Sequence, residues 1–83
     1  ANCKKLKRIN LPSTLKTIGE NGFYGCTGLR TVTVKGRVTK CKIFAFYKVK
    51  NCKIILKTKA AKKSKKVFAK ELKQEGNKKV KIK

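Results

Sequence analysis

The side chains that could do chemistry are few in this 83-residue sequence, which has four cysteines and no histidine. The cysteines are Cys3, Cys26, Cys41 and Cys52. They are too widely spaced to include a Cys-x-x-Cys pair, and their spacing matches no structural zinc site. A cysteine nucleophile also needs an activating base, and the sequence offers none. We therefore expect neither a metal centre nor a catalytic thiol.

Carboxylates are scarcer still, because Glu20, Glu71 and Glu75 are the only acidic residues. Glu71 and Glu75 stand one helical turn apart among lysines, which is typical of solvated pairs on a helix surface. The glycines at positions 19, 22, 25 and 28 do not lead into a helix that starts with Lys-Ser/Thr, so they form no phosphate loop. These patterns predict a protein that is not an enzyme and uses no cofactor.

Positive charge dominates the composition, with 25 Lys and Arg against 3 Asp and Glu and a formal net charge of +22. Such a charge attracts polyanions at low salt. Only Arg8, Arg30 and Arg37 are arginines, the residue favoured for bidentate recognition of phosphate and guanine. The lysines could hold the protein to anionic cell-envelope polymers or to sulfated or sialylated host glycans. A small basic nucleic-acid-binding protein is the alternative, and a merely solvated lysine surface would have the same composition.

The sequence contains no segment suited to crossing a membrane, since none approaches the roughly 18 consecutive apolar residues that a span requires. No apolar signal-peptide core lies near residue 1. We therefore expect no membrane insertion. The sequence also lacks methionine, which leads us to expect a piece of a longer protein.

An internal repeat with a fixed offset of 23 residues is the strongest pattern in the sequence. Aligned without gaps, the matching pairs are Cys3 and Cys26, Leu6 and Leu29, Ile9 and Val32, Leu11 and Val34, Leu15 and Val38, Phe23 and Phe46, and Tyr24 and Tyr47. A fixed period of this length is typical of a solenoid, in which each unit buries its apolar face against the next. Alternating residues at 9–11 and 32–34 predict strands that lie parallel and in register on one face.

These residues resemble the BspA-like leucine-rich repeats of bacterial surface proteins. The family's unit is similar to Leu-x-x-Ile-x-Leu-Pro-x-x-Leu-x-x-Ile-Gly-x-x-Ala-Phe-x-x-Cys. It is matched here by Leu6, Ile9, Leu11, Pro12, Leu15, Ile18, Gly19, Phe23 and Cys26. The resemblance covers residues 3 to about 57 and implies an α/β solenoid of right-handed leucine-rich-repeat coils. It also implies an exported or cell-surface protein that serves in adhesion or host interaction.

The second repeat unit departs from the family pattern at three neighbouring positions. Lys42 stands where the first unit has Gly19, and Ile43 and Phe44 replace the polar pair at 20–21. If Gly19 has a positive φ, Lys42 must be strained or the turn must differ. Ile43 and Phe44 form either an exposed contact or a local repacking against the end of the chain, and we favour repacking.

The C-terminal part of the sequence predicts a cap for the solenoid. Cys52, Ile54 and Leu56 alternate as a third strand, one position out of phase with the first two. Ser64 is a candidate N-cap of an amphipathic helix that ends at Gly76-Asn77, and 80–82 alternates as a short, lysine-flanked edge strand. We divide the single domain into repeats at 3–25 and 26–48, a degenerate third strand at 49–57, and a basic C-terminal cap at 58–83, which we expect to close the solenoid as a strand-helix-strand unit.

The repeat places all four cysteines at positions that face the core. Two disulfides, with three possible connectivities, would be ordinary for a short secreted chain. Because Cys3 and Cys26 occupy equivalent positions and Cys41 stands where Ile18 stands, we favour buried reduced thiols. Phe23 and Phe46 are core positions as well, so no aromatic stacking platform is expected.

The outward strand positions define the candidate binding surface, which we call the sheet face. Its predicted members are Arg8, Asn10, Thr31, Thr33, Lys53, Ile55, Lys79 and Lys81. Sheet faces are common binding surfaces of solenoids. We therefore predict a non-enzymatic scaffold whose partner is a protein or an anionic glycan or cell-envelope polymer, while the same residues could also be solvated with no partner.

Overall fold

The computed structural model describes residues 5–20 and 22–83. These residues form six strands and two helices. The elements are β1 (Arg8–Leu11), β2 (Thr17–Ile18), β3 (Thr31–Val34), β4 (Lys40–Cys41), β5 (Cys52–Leu56), α1 (Lys59–Lys62), α2 (Lys65–Glu75) and β6 (Val80–Ile82).

Four of the strands form one parallel sheet in the order β1-β3-β5-β6. Ile9 pairs with Val32, which confirms the register that the repeat predicted for the first two strands. Val32 in turn pairs with Ile54, one position short of the repeat offset, so the predicted slip of the third strand is confirmed. The sheet ends at β6, which is the short edge strand expected from the alternation at 80–82.

A second, two-stranded parallel sheet joins β2 to β4 and was not predicted from the sequence. Thr17 pairs with Lys40 and Ile18 pairs with Cys41, at the same offset that relates β1 to β3. These strands are too short to show an alternating pattern of their own. The repeat nevertheless brings them together, because equivalent positions of successive units lie side by side.

The apolar core lies between the two sheets and the helices and contains repeated apolar residues of both units. Phe23 and Phe46 stack with ring centroids 5.3 Å apart, and Phe68 of α2 meets Phe46 edge to face at 5.9 Å. Leu29, Val32 and Ile54 are fully buried. Phe68 therefore continues, from the helix, the row of rings that the two repeat units begin.

The two units also meet closely at their turns. Gly36 is equivalent to Ser13 by the repeat, and a Cβ atom at Gly36 would overlap the Ser13 carbonyl oxygen. Gly19 does not adopt a positive φ, so the strain considered for Lys42 does not arise. Left-handed backbone occurs instead at Gly25 and, among non-glycine residues, at Phe44, Lys48 and Asn51.

Polar side chains from the C-terminal segment satisfy backbone groups of the second unit and of Val49, which follows it. Ser64 precedes α2 as predicted, but its hydroxyl accepts a hydrogen bond from the Val38 N–H (2.8 Å) instead of capping the helix. The Asn77 amide donates to the carbonyls of Phe46 and Val49. Gly76 ends α2 in the left-handed conformation, which confirms the predicted stop.

α1 was not predicted, although a polar residue marks its start. The Thr58 hydroxyl accepts from the Ala61 N–H and donates to the Lys35 carbonyl. Within the described ranges, neither helix is long and apolar enough to cross a membrane.

Candidate functional site

Most of the predicted sheet face lies on one surface of the parallel sheet. One row crosses all four strands, from Arg8 through Thr31 and Lys53 to Lys81. A second row runs from Asn10 through Thr33 to Ile55. The alternate positions, including Val32 and Ile54, are buried on the opposite side. The strand pattern therefore assigned the outward positions of these strands correctly.

Lys79 differs from the other members because it precedes β6 instead of lying in it. Its backbone N–H donates to the Asn77 side-chain oxygen at 2.9 Å, and the Val80 N–H approaches the same oxygen at 3.3 Å. Asn77 thus fixes the turn that leads into the edge strand. This turn sets where the lysines at 78, 79 and 81 stand relative to β5.

Three predicted residues, Lys53, Lys79 and Lys81, line one cavity of about 420 Å³ beside the edge strand. Lys78, Asn51 and Cys52 complete its wall. The remaining predicted residues, Arg8, Asn10, Thr31, Thr33 and Ile55, do not line it. The structure therefore concentrates the positive charge of the sheet face at the end nearest the C-terminal segment.

A second cavity of about 390 Å³ adjoins the first and shares Lys78 and Lys79 with it. Its wall also contains Tyr47, Lys48 and Lys50, together with one acidic residue, Glu75. We call the two adjoining cavities the lysine groove. Its lysines are Lys48, Lys50, Lys53, Lys78, Lys79 and Lys81. All of them are exposed, so a ligand can reach their ammonium groups.

A stacked tyrosine pair stands at one end of the lysine groove. The rings of Tyr24 and Tyr47 are 5.6 Å apart at an interplanar angle of 28°. The ammonium group of Lys48 lies 5.7 Å from the centroid of the Tyr24 ring, within cation–π range. Tyr47 keeps 37% of its surface exposed. The expectation that no aromatic stacking platform exists is therefore wrong, because it considered the core phenylalanines alone.

The expectation that Glu71 and Glu75 are solvated is also wrong. Glu71 is only 4% exposed, and Glu75 is half-buried. Both residues line a cavity of about 460 Å³ together with Cys41, Ile43, Phe44 and Gln74, which we call the carboxyl pocket. Burial first, and then a hydrogen bond to the Glu71 carboxyl, raises the pKa of Glu75 to about 8.

Ile43 and Phe44 form the exposed rim of the carboxyl pocket, so the favoured repacking against the cap is wrong. Ile43 is 55% exposed and Phe44 is 41% exposed. Phe44 has a left-handed backbone, and its ring lies 5.0 Å from that of Tyr47. The turn geometry thus directs two large apolar side chains towards solvent.

The cysteines lie where the repeat placed them, as far as the structure describes them. Cys26 and Cys52 are buried, and Cys41 is partly buried against the core. Cys41 and Cys52 carry free thiols, as expected, whereas Cys3 lies outside the described residues. Burial raises the pKa of Cys41 to about 12 and that of Cys52 to about 11. Neither thiol is therefore ionised at neutral pH, as a nucleophile would need to be.

Acidic and thiol side chains also do not gather in a way that would hold a metal. Among residues 5–20 and 22–83, no group of three or more His, Cys, Asp or Glu side chains is placed to bind a metal ion. The chemistry that the described surface offers is therefore ionic and apolar contact: ammonium groups and a tyrosine in the lysine groove, and carboxyl groups with an apolar rim in the carboxyl pocket.

The repeat and the C-terminal segment together match the profile of one protein family. The profile described as "BspA type Leucine rich repeat region (6 copies)" matches residues 1–77. The chain belongs to the BspA-type leucine-rich-repeat family. The match extends beyond residue 57, where the repeat motif was expected to end, and so includes α1, α2 and the Asn77 turn.

Membership of the BspA-type family supports the coarse function and fold. Leucine-rich repeats of this kind are typically non-enzymatic scaffolds that mediate protein interactions, and BspA-type proteins are generally associated with the cell surface. The parallel sheet with packed helices agrees with the α/β class of the family. No curated protein and no solved structure shows significant similarity to this chain.

Proposed function

We propose that the chain is a non-enzymatic binding module that holds an anionic glycan in the lysine groove. The ligand would be an acidic polymer of the cell envelope or a sulfated or sialylated host glycan, and the module would serve adhesion at the bacterial surface or outside the cell. The observation that carries the proposal is the sharing of Lys78 and Lys79 by the two cavities, which makes one basic groove with a tyrosine at its end.

The groove has two features that suit an acidic glycan. Six ammonium groups along its length can meet repeated carboxylate or sulfate groups, each as a mobile point charge that does not demand one bidentate geometry. The Tyr47 ring, which stacks on Tyr24 and is 37% exposed, offers apolar surface for a sugar ring. Charge would attract the polymer, and the ring would favour a sugar over a simple anion.

Features that favour nucleic acid are weaker on this surface. Arginine is the residue best suited to phosphate and guanine, and none of the arginines lines the lysine groove. One tyrosine pair could stack a single base, whereas single-strand binding proteins stack several bases in succession. Nucleic-acid binding is therefore the alternative function that the experiment below compares with glycan binding.

The same proposal includes the finer architecture. The units at 3–25 and 26–48 would be right-handed coils of a solenoid, 49–57 its degenerate third strand, and 58–83 its cap. Support comes from Ser64 and Asn77, whose side chains satisfy backbone groups of Val38 and Phe46 in the second unit and of Val49 just after it. Polar coverage of an apolar end is what a terminal unit must provide.

Binding titrations across salt test the function. The probes are heparin, a sialylated oligosaccharide, a teichoic-type polymer, duplex DNA and single-stranded RNA, each titrated from low to above-physiological salt. We expect one acidic glycan to keep measurable affinity above about 0.15 M salt, where screening weakens generic attraction. Loss of every interaction near that salt concentration, or a salt-resistant preference for DNA or RNA, would contradict the proposal.

A further inference from the structure

The carboxyl pocket is the least expected feature of a chain with a net charge of +22, because it gathers two of the three acidic residues. Glu71 and Glu75 lie one turn apart on the same side of α2 as the buried Phe68 and Leu72. They therefore face the body of the protein. The helix presents carboxyl groups where a cap would ordinarily present apolar side chains.

The hydrogen-bonding capacity of these two carboxyl groups is only partly used. Glu75 Oε2 accepts from the Phe46 N–H at 3.1 Å. Glu71 Oε2 and Glu75 Oε1 are buried and accept no hydrogen bond from an N–H or hydroxyl group of the described residues, so the hydrogen bond between the two carboxyl groups is what they have while Glu75 is protonated. Buried acceptors without donors are costly, so most proteins satisfy them. Once the proton shared by the two carboxyl groups leaves, the pocket holds two acceptors that a ligand with several N–H donors would satisfy.

The rim of the carboxyl pocket is apolar, in contrast to its floor. Ile43 and Phe44 are exposed beside the carboxyl groups and line the same cavity. A hydrocarbon chain can lie along such a rim while a cationic group at its end reaches the floor. The cavity volume of about 460 Å³ is large enough for one long side chain.

We propose that the carboxyl pocket receives a basic side chain, a lysine or an arginine, from a partner protein. The ammonium or guanidinium group donates to Glu71 Oε2 and Glu75 Oε1, and the aliphatic stem packs on Ile43 and Phe44. Glu75 lines both sites, whereas Glu71, Ile43 and Phe44 line the carboxyl pocket and not the lysine groove. The two proposed ligands have opposite charges, so binding of a basic peptide is tested independently of glycan binding.

Protonation supports this assignment and provides a second readout. Glu71 on the same helix and Cys41 on β4 face Glu75 in the pocket, while Lys48, Lys50, Lys78 and Lys79 line the cavity on its other side. With its pKa raised to about 8, Glu75 holds a proton at neutral pH. A bound cation favours the ionised form, so binding releases that proton to solvent. Affinity for the basic side chain should consequently rise between pH 6 and pH 9.

Carboxyl carbon NMR tests the site directly, because the intact chain labelled with ¹³C-glutamate has three side-chain signals. The probes are acetyl-Gly-Lys-Gly-amide and acetyl-Gly-Arg-Gly-amide, which distinguish binding of an ammonium group from binding of a guanidinium group. The same peptide with norleucine and a calcium salt serve as controls. We expect saturable shifts at Glu71 and Glu75 with one basic peptide, and no saturable shift at the exposed Glu20.

Two variants keep the result interpretable. Glu71→Gln removes one charge at nearly constant shape and should weaken peptide binding about fivefold or more. Phe44→Asn leaves both carboxyl groups in place, suits a left-handed backbone and removes the aromatic part of the rim, so it should weaken binding by a smaller factor. Four results would overturn the proposal. They are equal shifts at Glu20, a response to calcium but not to the basic peptides, an equal response to the norleucine peptide, and no binding at all.

Discussion

Lys48 occupies in the second repeat unit the position that Gly25 occupies in the first, and both residues have a left-handed backbone, with φ values of 67° and 72°. The turn geometry of the repeat is therefore kept even where glycine is lost. A side chain with a Cβ atom incurs a steric penalty in this conformation. Lys48 is placed by this turn beside the Tyr24 ring, at one end of the lysine groove.

Lys48→Gly should raise the free energy of unfolding by about 0.5 kcal/mol. Relief of left-handed strain is worth about 1–2 kcal/mol, and the greater freedom of glycine in the unfolded chain and the lost cation–π contact offset part of it. Urea unfolding measures the change. Lys50→Gly is the matched control, because Lys50 is exposed and has no positive φ, and it should lower stability. Equal effects at both positions would show that the turn is not strained.

Gly36→Ala should destabilise the fold by roughly 1–3 kcal/mol, because the added methyl group must displace the Ser13 carbonyl of the neighbouring turn. Gly19→Ala is the comparison, since a Cβ atom there would have no neighbour within 4 Å. Thermal and urea unfolding of both variants measure the difference. If Gly36→Ala were as stable as Gly19→Ala, the two units would not be stacked as closely as described.

The raised pKa of Glu75 makes stability depend on pH. The folded state holds this proton up to a pKa of about 8, whereas the ordinary value is 4.5, so the folded state binds more protons between these values. The stability that Glu75 contributes should therefore be fully present below pH 4.5 and be lost as pH rises to 8. The fall should be about 1 kcal/mol, well below the full shift, because Glu75 is partly solvated.

Glu75→Gln should remove most of that fall and should be more stable than the unmodified chain at pH 9. The amide oxygen can still accept from the Phe46 N–H, so the packing of α2 is retained. Urea midpoints at several pH values between 4 and 9 provide the test, with Glu20→Gln as an exposed control. An unchanged pH dependence in Glu75→Gln would show that another group is responsible.

Removal of residues 58–83 should unfold the remaining chain. The truncation would expose the Phe46 ring that Phe68 covers and would leave the Val38 and Phe46 N–H groups without their side-chain acceptors. Circular dichroism and thermal melting would show the loss of strand signal and of a cooperative transition. A truncated chain that still melted cooperatively would contradict the assignment of a cap.

Ser64→Ala tests the same cap by removing one of its hydrogen bonds instead of the whole segment. Ser64 is fully buried, and its loss leaves the Val38 N–H unsatisfied, which should cost about 1–3 kcal/mol. Ser13→Ala, at an exposed position, should have little effect on the urea midpoint.

Periodicity made the large sheet predictable from the sequence. The fixed repeat offset determines which positions pair, and alternation determines which side chains point outward, so Arg8, Thr31 and Lys53 were placed correctly. The slip of one position between β3 and β5 was visible in the phase of Cys52 and Ile54. These signals are local or repeated, and they need no knowledge of the tertiary structure.

The candidate sites were less predictable because they depend on how the C-terminal segment docks. Tyr47 and Lys78 are far apart in sequence and meet only through the pairing of β5 with β6 and the Asn77 turn. The burial of Glu71 and Glu75 could have been predicted from the sequence, because both residues follow Phe68 at helical spacing on the apolar face of α2. The lysines close to them in the sequence indicated instead that both carboxylates are solvated.

Glycan binding by the lysine groove is tested most directly by removing its shared charges. Lys78→Gln/Lys79→Gln changes the two lysines common to both cavities, and Lys66→Gln/Lys73→Gln removes the same charge from exposed positions of α2 outside the groove. Affinity for the glycan that best resists salt is measured at about 0.15 M salt. The groove variant should bind about tenfold more weakly, and the helix variant should bind almost as well as the unmodified chain. Equal losses in the two variants would mean that net charge alone attracts the polymer and that the lysine groove is not its site.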